Sequence, residues 1–413
     1  MKDQLITSNA FKETYKRFLG EGQNLFEFGL FPNITFVGGK GSSIFQVIGG
    51  TLSPALHYQL NLDKQKDLLG KVFILYNVPS YNEINPVKSD FGKKLGHDVI
   101  KEYKGFICNL HRFISVDDYL AEKLSKKSLK SFRSRKARLE KCFDISYYSH
   151  GQEIDEKTFD LIFSTFYLLL KKKFDRKGEY YESLRPETWK FNRELTFSLL
   201  KGGNATLDVV YNKEEPISIR LTYHFDKISH AITPVYDSDY AKFGLGTIGL
   251  IKTIEYCMER GCEKFDMGKG EYGYKKNWTD EIYQHEHHIY YDKSSLSCKM
   301  MRLQKSIKFR FLQSLRDRGF NDLYHKIRFQ LRVSKKKKGG AIGLSKIENV
   351  DVALPSDGQK IDINEPQYLE IKRILVDFIY STQEHFNEVS VYKVIQDNKF
   401  HIIGTKKQLS LTY

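Results

Sequence analysis

The chain of 413 residues holds only 5 cysteines, 9 prolines and 2 tryptophans. Cys108, Cys142, Cys257, Cys262 and Cys298 are scattered, with no C-x-x-C pair and no compact Cys/His spacing. That pattern excludes a disulfide scaffold, a zinc ribbon and a dithiol redox centre, and it assigns most of the thiols to the role of small buried hydrophobes. No run approaches the ~18–20 uninterrupted apolar residues of a membrane span. The opening Met1-Lys2-Asp3-Gln4-Leu5-Ile6-Thr7 lacks the apolar stretch of a secretory signal. A soluble, cytoplasmic protein is the expectation. With 40% hydrophobic and 14% aromatic residues a full core is available, so wholesale disorder is excluded, and the length allows two to three domains of roughly 100–200 residues.

Acidic residues are scarce in two places. Nine basic residues between Lys123 and Lys141 face only Glu140, and thirteen between Arg302 and Lys338 face only Asp317 and Asp322. The net charge of +15 is therefore placed rather than spread. It suggests a polyanionic partner, a phosphate-rich cofactor or an acidic membrane face.

Residues from about 20 to 110 mix short β-rich runs (Leu25–Leu30, Ile34–Val37, Ile44–Ile48, Val72–Tyr76) with Gly and Pro punctuation. Gly38-Gly39-Lys40-Gly41-Ser42-Ser43 is not a nucleotide loop. Gly41 stands where Ser or Thr is needed and Ile34 replaces the first glycine. A basic helix is expected from about Asp117 to Lys141, then an amphipathic helix carrying Phe159, Ile162, Phe163, Phe166 and Leu170, then one from about Pro186 to Leu200. The period then changes. Leu207–Tyr211, a strand in which Ile217, Ile219, Leu221 and Tyr223 alternate with Ser218, Arg220, Thr222 and His224, and Ile228–Val235 read as an antiparallel meander with a half-buried middle strand. A helix opens at Thr247 with Ile248, Ile251, Ile254 and Met258 inside, stops at Gly261, and is followed by a strand over Cys262–Met267. Residues 335–360 read as a linker, and 361–413 as a helix carrying Ile371, Ile374, Leu375 and Phe378 plus a hairpin turning at Asp397-Asn398.

The chemistry-bearing element is strand, glycine loop, helix: Tyr240-Ala241-Lys242-Phe243-Gly244-Leu245-Gly246 ahead of Thr247. Glycine lets backbone N–H groups approach a phosphate, and a helix start adds unpaired donors and about half a positive charge. Gly-x-Gly before a helix also serves plain tight packing.

Three stretches carry a family resemblance: Leu124 to Leu139, Tyr236 to Thr247, and Phe265-Asp266-Met267-Gly268-Lys269-Gly270-Glu271-Tyr272-Gly273-Tyr274-Lys275-Lys276-Asn277-Trp278. Over roughly 120–292 the chain resembles the GNAT acyltransferase superfamily, in its CelD/BcsL-like branch associated with cellulose and exopolysaccharide synthesis, itself similar to Fem-type aminoacyltransferases. The resemblance implies an α/β (α+β) fold, a mixed sheet flanked by helices in two GNAT-like halves. It divides the chain into an N-terminal α/β domain (1–116), an acyltransferase domain (117–300), a basic helical segment with linker (301–345) and a small C-terminal α+β unit (346–413).

It also implies an acetyl-CoA or other acyl-CoA donor held by Lys242, Gly244, Leu245, Gly246 and Thr247, and a glycan, amino-sugar or small-molecule acceptor. Ala241 departs from the family, which has Gln or Arg at this place, and Lys242 is the substitute charge. Asp266 is the expected base or anchor for a substrate amine, or else a cap on the glycine turn. Lys275 is the expected oxyanion or phosphate ligand and Tyr274 a proton donor, with an exposed lysine and a packed tyrosine as their plainer roles. The alternatives are aminoacyl transfer from charged tRNA and a non-catalytic protein docked on an anionic membrane. In Gln284-His285-Glu286-His287-His288, strand alternation puts His285 and His287 on one face and Glu286 and His288 on the other. No three ligands converge, and no metal is expected.

Overall fold

A computed structural model of the chain describes residues 4–82, 94–271, 273–333, 346–349, 358–363, 365–395 and 398–412. Most of the expected linker, Tyr272 and Asp397 lie outside the described residues.

One mixed sheet of eleven strands forms the body of the protein. Its strands are β1 (Asn24–Glu27), β2 (Thr35–Gly38), β3 (Ile44–Val47), β4 (Val72–Pro79), β5 (Leu95–Asn109), β6 (Ile145–His150), β7 (Ala205–Asn212), β8 (Glu215–Phe225), β9 (Ile228–Tyr236), β10 (Lys264–Asp266) and β11 (Glu281–Asp292). Their order is β1-β2-β3-β4-β11-β5-β10-β9-β8-β7-β6. Late strand β11 thus inserts between β4 and β5, antiparallel to both, and joins the two sequence halves into one sheet.

Helices α1 (Asn9–Phe18), α2 (Val116–Lys123), α3 (Lys126–Cys142), α4 (Glu156–Lys177), α5 (Pro186–Lys201), α6 (Leu245–Glu259), α7 (Leu296–Asp317) and α8 (Phe320–Val333) flank it. Phe11, Phe159, Phe166 and Leu199 build one core, and Phe132, Leu139, Ile248 and Ile254 a second. A second sheet of five short strands, β12 (Lys346–Asn349), β13 (Gln359–Lys360), β14 (Ser390–Val394), β15 (Lys399–Ile403) and β16 (Gln408–Thr412), accompanies α9 (Leu369–Thr382). Ile371, Leu375 and Ile379 of α9 belong to the same core as α3 and α6. All five cysteines are buried and free.

Three local expectations need correction. The basic helix is broken at Leu124-Ser125, because the Ser125 side chain accepts the Ser128 N–H and starts a new helix. Helix α6 opens at Leu245, two residues before Thr247, since Gly244 in the left-handed region (φ 75°) takes the N-cap place. The middle meander strand is not half-buried. Every residue from Pro216 to Phe225 is buried, because α6 covers the face that carries Ser218 and Arg220.

Candidate active site

The sheet splits at the end of β10. Residues Lys264, Phe265 and Asp266 pair in parallel with Ile228, Ser229 and His230 of β9, and the pairing stops there. Beyond it the chain follows β5, with Met267 N–H donating to Phe106 O (2.8 Å) and Gly270 N–H to Lys104 O (3.2 Å). Strand β9 runs on to Tyr236 with β8 as its partner, its pairing register shifting between Leu221 and Thr222. A parallel pair that parts in this way leaves backbone without a sheet neighbour, a wedge into which a ligand can enter.

Asp266 sits at the point of the wedge, 1% exposed. Its Oδ1 accepts the Gly268 N–H (2.8 Å), which stabilises the turn at Gly268 (φ 70°). Its Oδ2 accepts the Tyr283 hydroxyl (2.7 Å) and lies 3.3 Å from His230 Nδ1. The Tyr283 hydroxyl also meets His285 Nε2 at 3.0 Å. Burial pushes the Asp266 carboxyl up, but the imidazoles of His230 and His285 and the Tyr283 hydroxyl outweigh it and hold it below the usual range. A carboxylate so held is an anchor for a cation more than a strong base.

Lys275 is 4% exposed, on a short helical turn over Gly273–Asn277. Its Nζ donates to Gly268 O (3.0 Å) and Lys269 O (3.1 Å), so the lysine spans the loop that leaves Asp266. Burial lowers its pKa to about 8, against the attraction of Asp266 and with help from the Arg220 charge. Tyr274 is 47% exposed, and burial raises its hydroxyl above the ordinary value.

The glycine turn is more crowded than its residue types suggest. Leu245 is fully buried, and the Thr247 N–H already donates to Gly244 O (2.9 Å). A Cβ at Gly246 would lie 2.8 Å from the Tyr236 ring, and one at Gly244 would lie 3.3 Å from the Arg135 guanidinium. Lys242 Nζ pairs with Asp377 of α9 at 3.0 Å. Arg138 stacks on Tyr380 with its guanidinium carbon 4.5 Å from the ring centre, and Tyr380 in turn meets Phe243. Helix α9 therefore braces the glycine turn from the C-terminal unit.

The register shifts around Glu286 put the extra residue on the neighbouring strands, between Val78 and Leu75 of β4 and between Lys104 and Lys101 of β5, while Glu286 and His288 meet as residues two apart on one strand. His285 meets Tyr283, His288 meets Tyr58 (2.6 Å) and Glu286 (3.0 Å), and His287 packs between Tyr76 and Phe309 of α7. Burial lowers the pKa of His285 to about 4 and of His287 to about 3. Among the described residues no group of three or more His, Cys, Asp or Glu is arranged to hold a metal.

Three site residues escape a reading of the sequence. His230 and Tyr283 reach Asp266 from different strands, and spacing along the chain carries no trace of that meeting. Arg220 sits on β8, buried, where strand alternation predicts solvent.

Residues 126–276 match a family described as an acetyltransferase (GNAT) domain. The mixed sheet with flanking helices, parting between β9 and β10, is a GNAT-type fold. Among solved structures the chain is similar to FemX (12% identity, 70% of this chain and 92% of that one, TM-score 0.46). It is also similar to L-PGS from Bacillus licheniformis (15%, 71% and 96%, TM-score 0.43). A third is a conserved protein of unknown function from Bacteroides thetaiotaomicron (11%, 70% and 92%, TM-score 0.45). A search of curated proteins gives no match.

Proposed function

We propose that this protein is an acyltransferase that moves an acyl group from acetyl-CoA or another acyl-CoA to an amine or hydroxyl of an amino sugar, glycan or other cell-envelope precursor, as in the CelD/BcsL-like branch. The observation that carries the proposal is the wedge between β9 and the segment after Asp266, with Lys275 and the start of α6 beside it. In the reaction the acceptor nitrogen or oxygen attacks the thioester carbonyl, the C–S bond breaks, and the acceptor proton replaces the one that Tyr274 gives to the thiolate. Asp266 anchors the acceptor's positive end, and the Lys275 ammonium stabilises the oxyanion. Tyr274 protonates the departing thiolate. The turn residues fit a diphosphate through the first-turn amides at Leu245 and Gly246, with Arg135 and Lys242 as nearby charges. Calorimetric titration with acetyl-CoA tests this. Saturable binding, followed by mass-spectrometric detection of an acylated amino sugar, is expected, and no heat at millimolar acetyl-CoA overturns it.

A membrane is the proposed workplace. On α7, Leu296, Met300, Leu303, Ile307 and Phe311 are exposed at the spacing of one helical face, with Lys299 and Lys308 on either side. No described helix is long and apolar enough to cross a membrane. An apolar stripe flanked by cations suits an anionic lipid surface, and co-sedimentation with phosphatidylglycerol vesicles, weaker for Ile307→Asp, is expected.

Aminoacyl transfer from charged tRNA is favoured by one observation, the exposed Lys126, Lys127, Lys130, Arg133 and Lys141 of α3. tRNA binding would weaken steeply with salt, by roughly one log unit per phosphate contact, whereas acyl-CoA binding would respond little. A non-catalytic docking protein would bind vesicles and give no heat with acetyl-CoA.

A further inference from the structure

The middle and end of α6 line a cavity of about 260 Å³ that the site at Asp266 does not use. Its other wall is β7 and β6, which stand two and three places from β9 in the sheet, and β6 is the last strand, with a neighbour on one side only. The cavity is smaller than the roughly 300–1,000 Å³ of sites for drug-sized ligands, so it suits one small ring and not a nucleotide cofactor.

Three tyrosines line it. The Tyr148 ring is 59% exposed, whereas Tyr147 is fixed by donating its hydroxyl to Glu140 (3.0 Å), and Tyr256 sits half-buried on α6. Lys252 Nζ lies 5.2 Å from the Tyr147 ring centre and 2.6 Å from Glu255, so the one lysine of the lining is already paired. Asp208 is 5% exposed. Its oxygens accept the hydroxyls of Ser149 (2.7 Å) and Thr253 (2.6 Å), which hold the carboxyl in place and leave each oxygen a further lone pair. Glu259 lines the same cavity from the last turn of α6 and is exposed. Aromatic faces accept the C–H face of a sugar ring, and carboxylates accept its hydroxyls. In a chain of net charge +15 this lining carries more carboxylates than ammonium groups, which favours a cation and disfavours a phosphate. We infer that the cavity between β6, β7 and α6 binds one amino-sugar unit, with its ring on Tyr148 and its ammonium toward Asp208 and Glu259. The site stands on this cavity alone, and only the assignment of the sugar to the acceptor glycan rests on the acyl-transfer reading.

The test is calorimetric titration of the full chain, Tyr148→Ala and Glu259→Gln with glucosamine trimer in its ammonium form. N-acetylglucosamine trimer serves as the uncharged sugar and lysine amide as the amine without a ring. Thermal unfolding without ligand checks that each variant folds. Glucosamine trimer should bind the parent chain, about tenfold more weakly to Tyr148→Ala, and about threefold more weakly to Glu259→Gln. No heat at millimolar glucosamine trimer, or equal binding to the folded variants, overturns the site. Equal affinity for the N-acetylated trimer overturns the ammonium assignment, and equal affinity for lysine amide overturns the sugar. A separate titration with acetyl-CoA keeps the two readings apart. Heat with the trimer and none with acetyl-CoA leaves the sugar site standing and removes the acyl-CoA reading, and the reverse removes the sugar site alone.

Discussion

Two adjacent lysines of α4 end in opposite surroundings. Lys172 reaches Asp237 (2.5 Å) and Asp239 (2.6 Å), and Arg176 one turn on completes the set at 2.8 Å from Asp239. The Asp239 side chain is fully buried with a cation on each oxygen, so this cluster is closed. It ties α4 to the turn that leads into α6. Lys173 finds one carbonyl, and Arg220 has Asp208 across the ladder, whose oxygens are taken by Ser149 and Thr253. The first cluster contributes stability through ion pairs, whereas the second holds buried cations with fewer direct partners.

Removing charge from each cluster should therefore have different consequences. The largest effect is expected in the open cluster and on turnover: Lys275→Ala should reduce acyl transfer by about 10²-fold or more, with folding retained, measured by release of free thiol. The same lysine sets a pH limit. With its pKa lowered to about 8, the oxyanion-stabilising charge is present below that pH and is lost above it, so turnover should fall as pH rises through about 8. Its stability contribution runs the other way. The unfolded chain keeps this proton up to about 10.4, so folding should gain stability relative to Lys275→Met between those pH values.

Next in size, Asp239→Ala should destabilise the protein by about 2–3 kcal/mol, read from denaturant midpoints. Burial raises the Asp239 carboxyl, but the hydrogen bonds from Lys172 and Arg176 prevail and lower it. Its contribution is present above the unfolded carboxyl value and disappears as pH falls through the depressed folded one. Arg220→Met should leave the unfolding midpoint unchanged or raise it, since no partner is orphaned. A drop as large as that of Asp239→Ala would erase the distinction between the clusters. The smallest effect is expected at Lys242→Ala, whose exposed pair with Asp377 is worth at most about 1 kcal/mol.

Much of the frame could be read along the chain because local patterns specify it. The repeat of Phe159, Ile162, Phe163, Phe166 and Leu170 required α4, alternation required the meander, and Gly261 (φ 77°) ended α6. Errors came where one residue outcompeted the pattern, as when Ser125 capped a second helix or Gly244 opened α6 two residues early.

Periodicity and composition act over a few residues, and they sufficed to mark helices, strands and the places where charge concentrates. Long-range packing was needed to bring β11 into the first half of the sheet, to set α9 against the glycine turn and to join Asp266 to His230 and Tyr283. It alone buried Arg220 beneath α6 with its Nε unpartnered among the described residues. Those outcomes depend on contacts between residues far apart in the chain, and the free energy of a charge depends on which of them close around it.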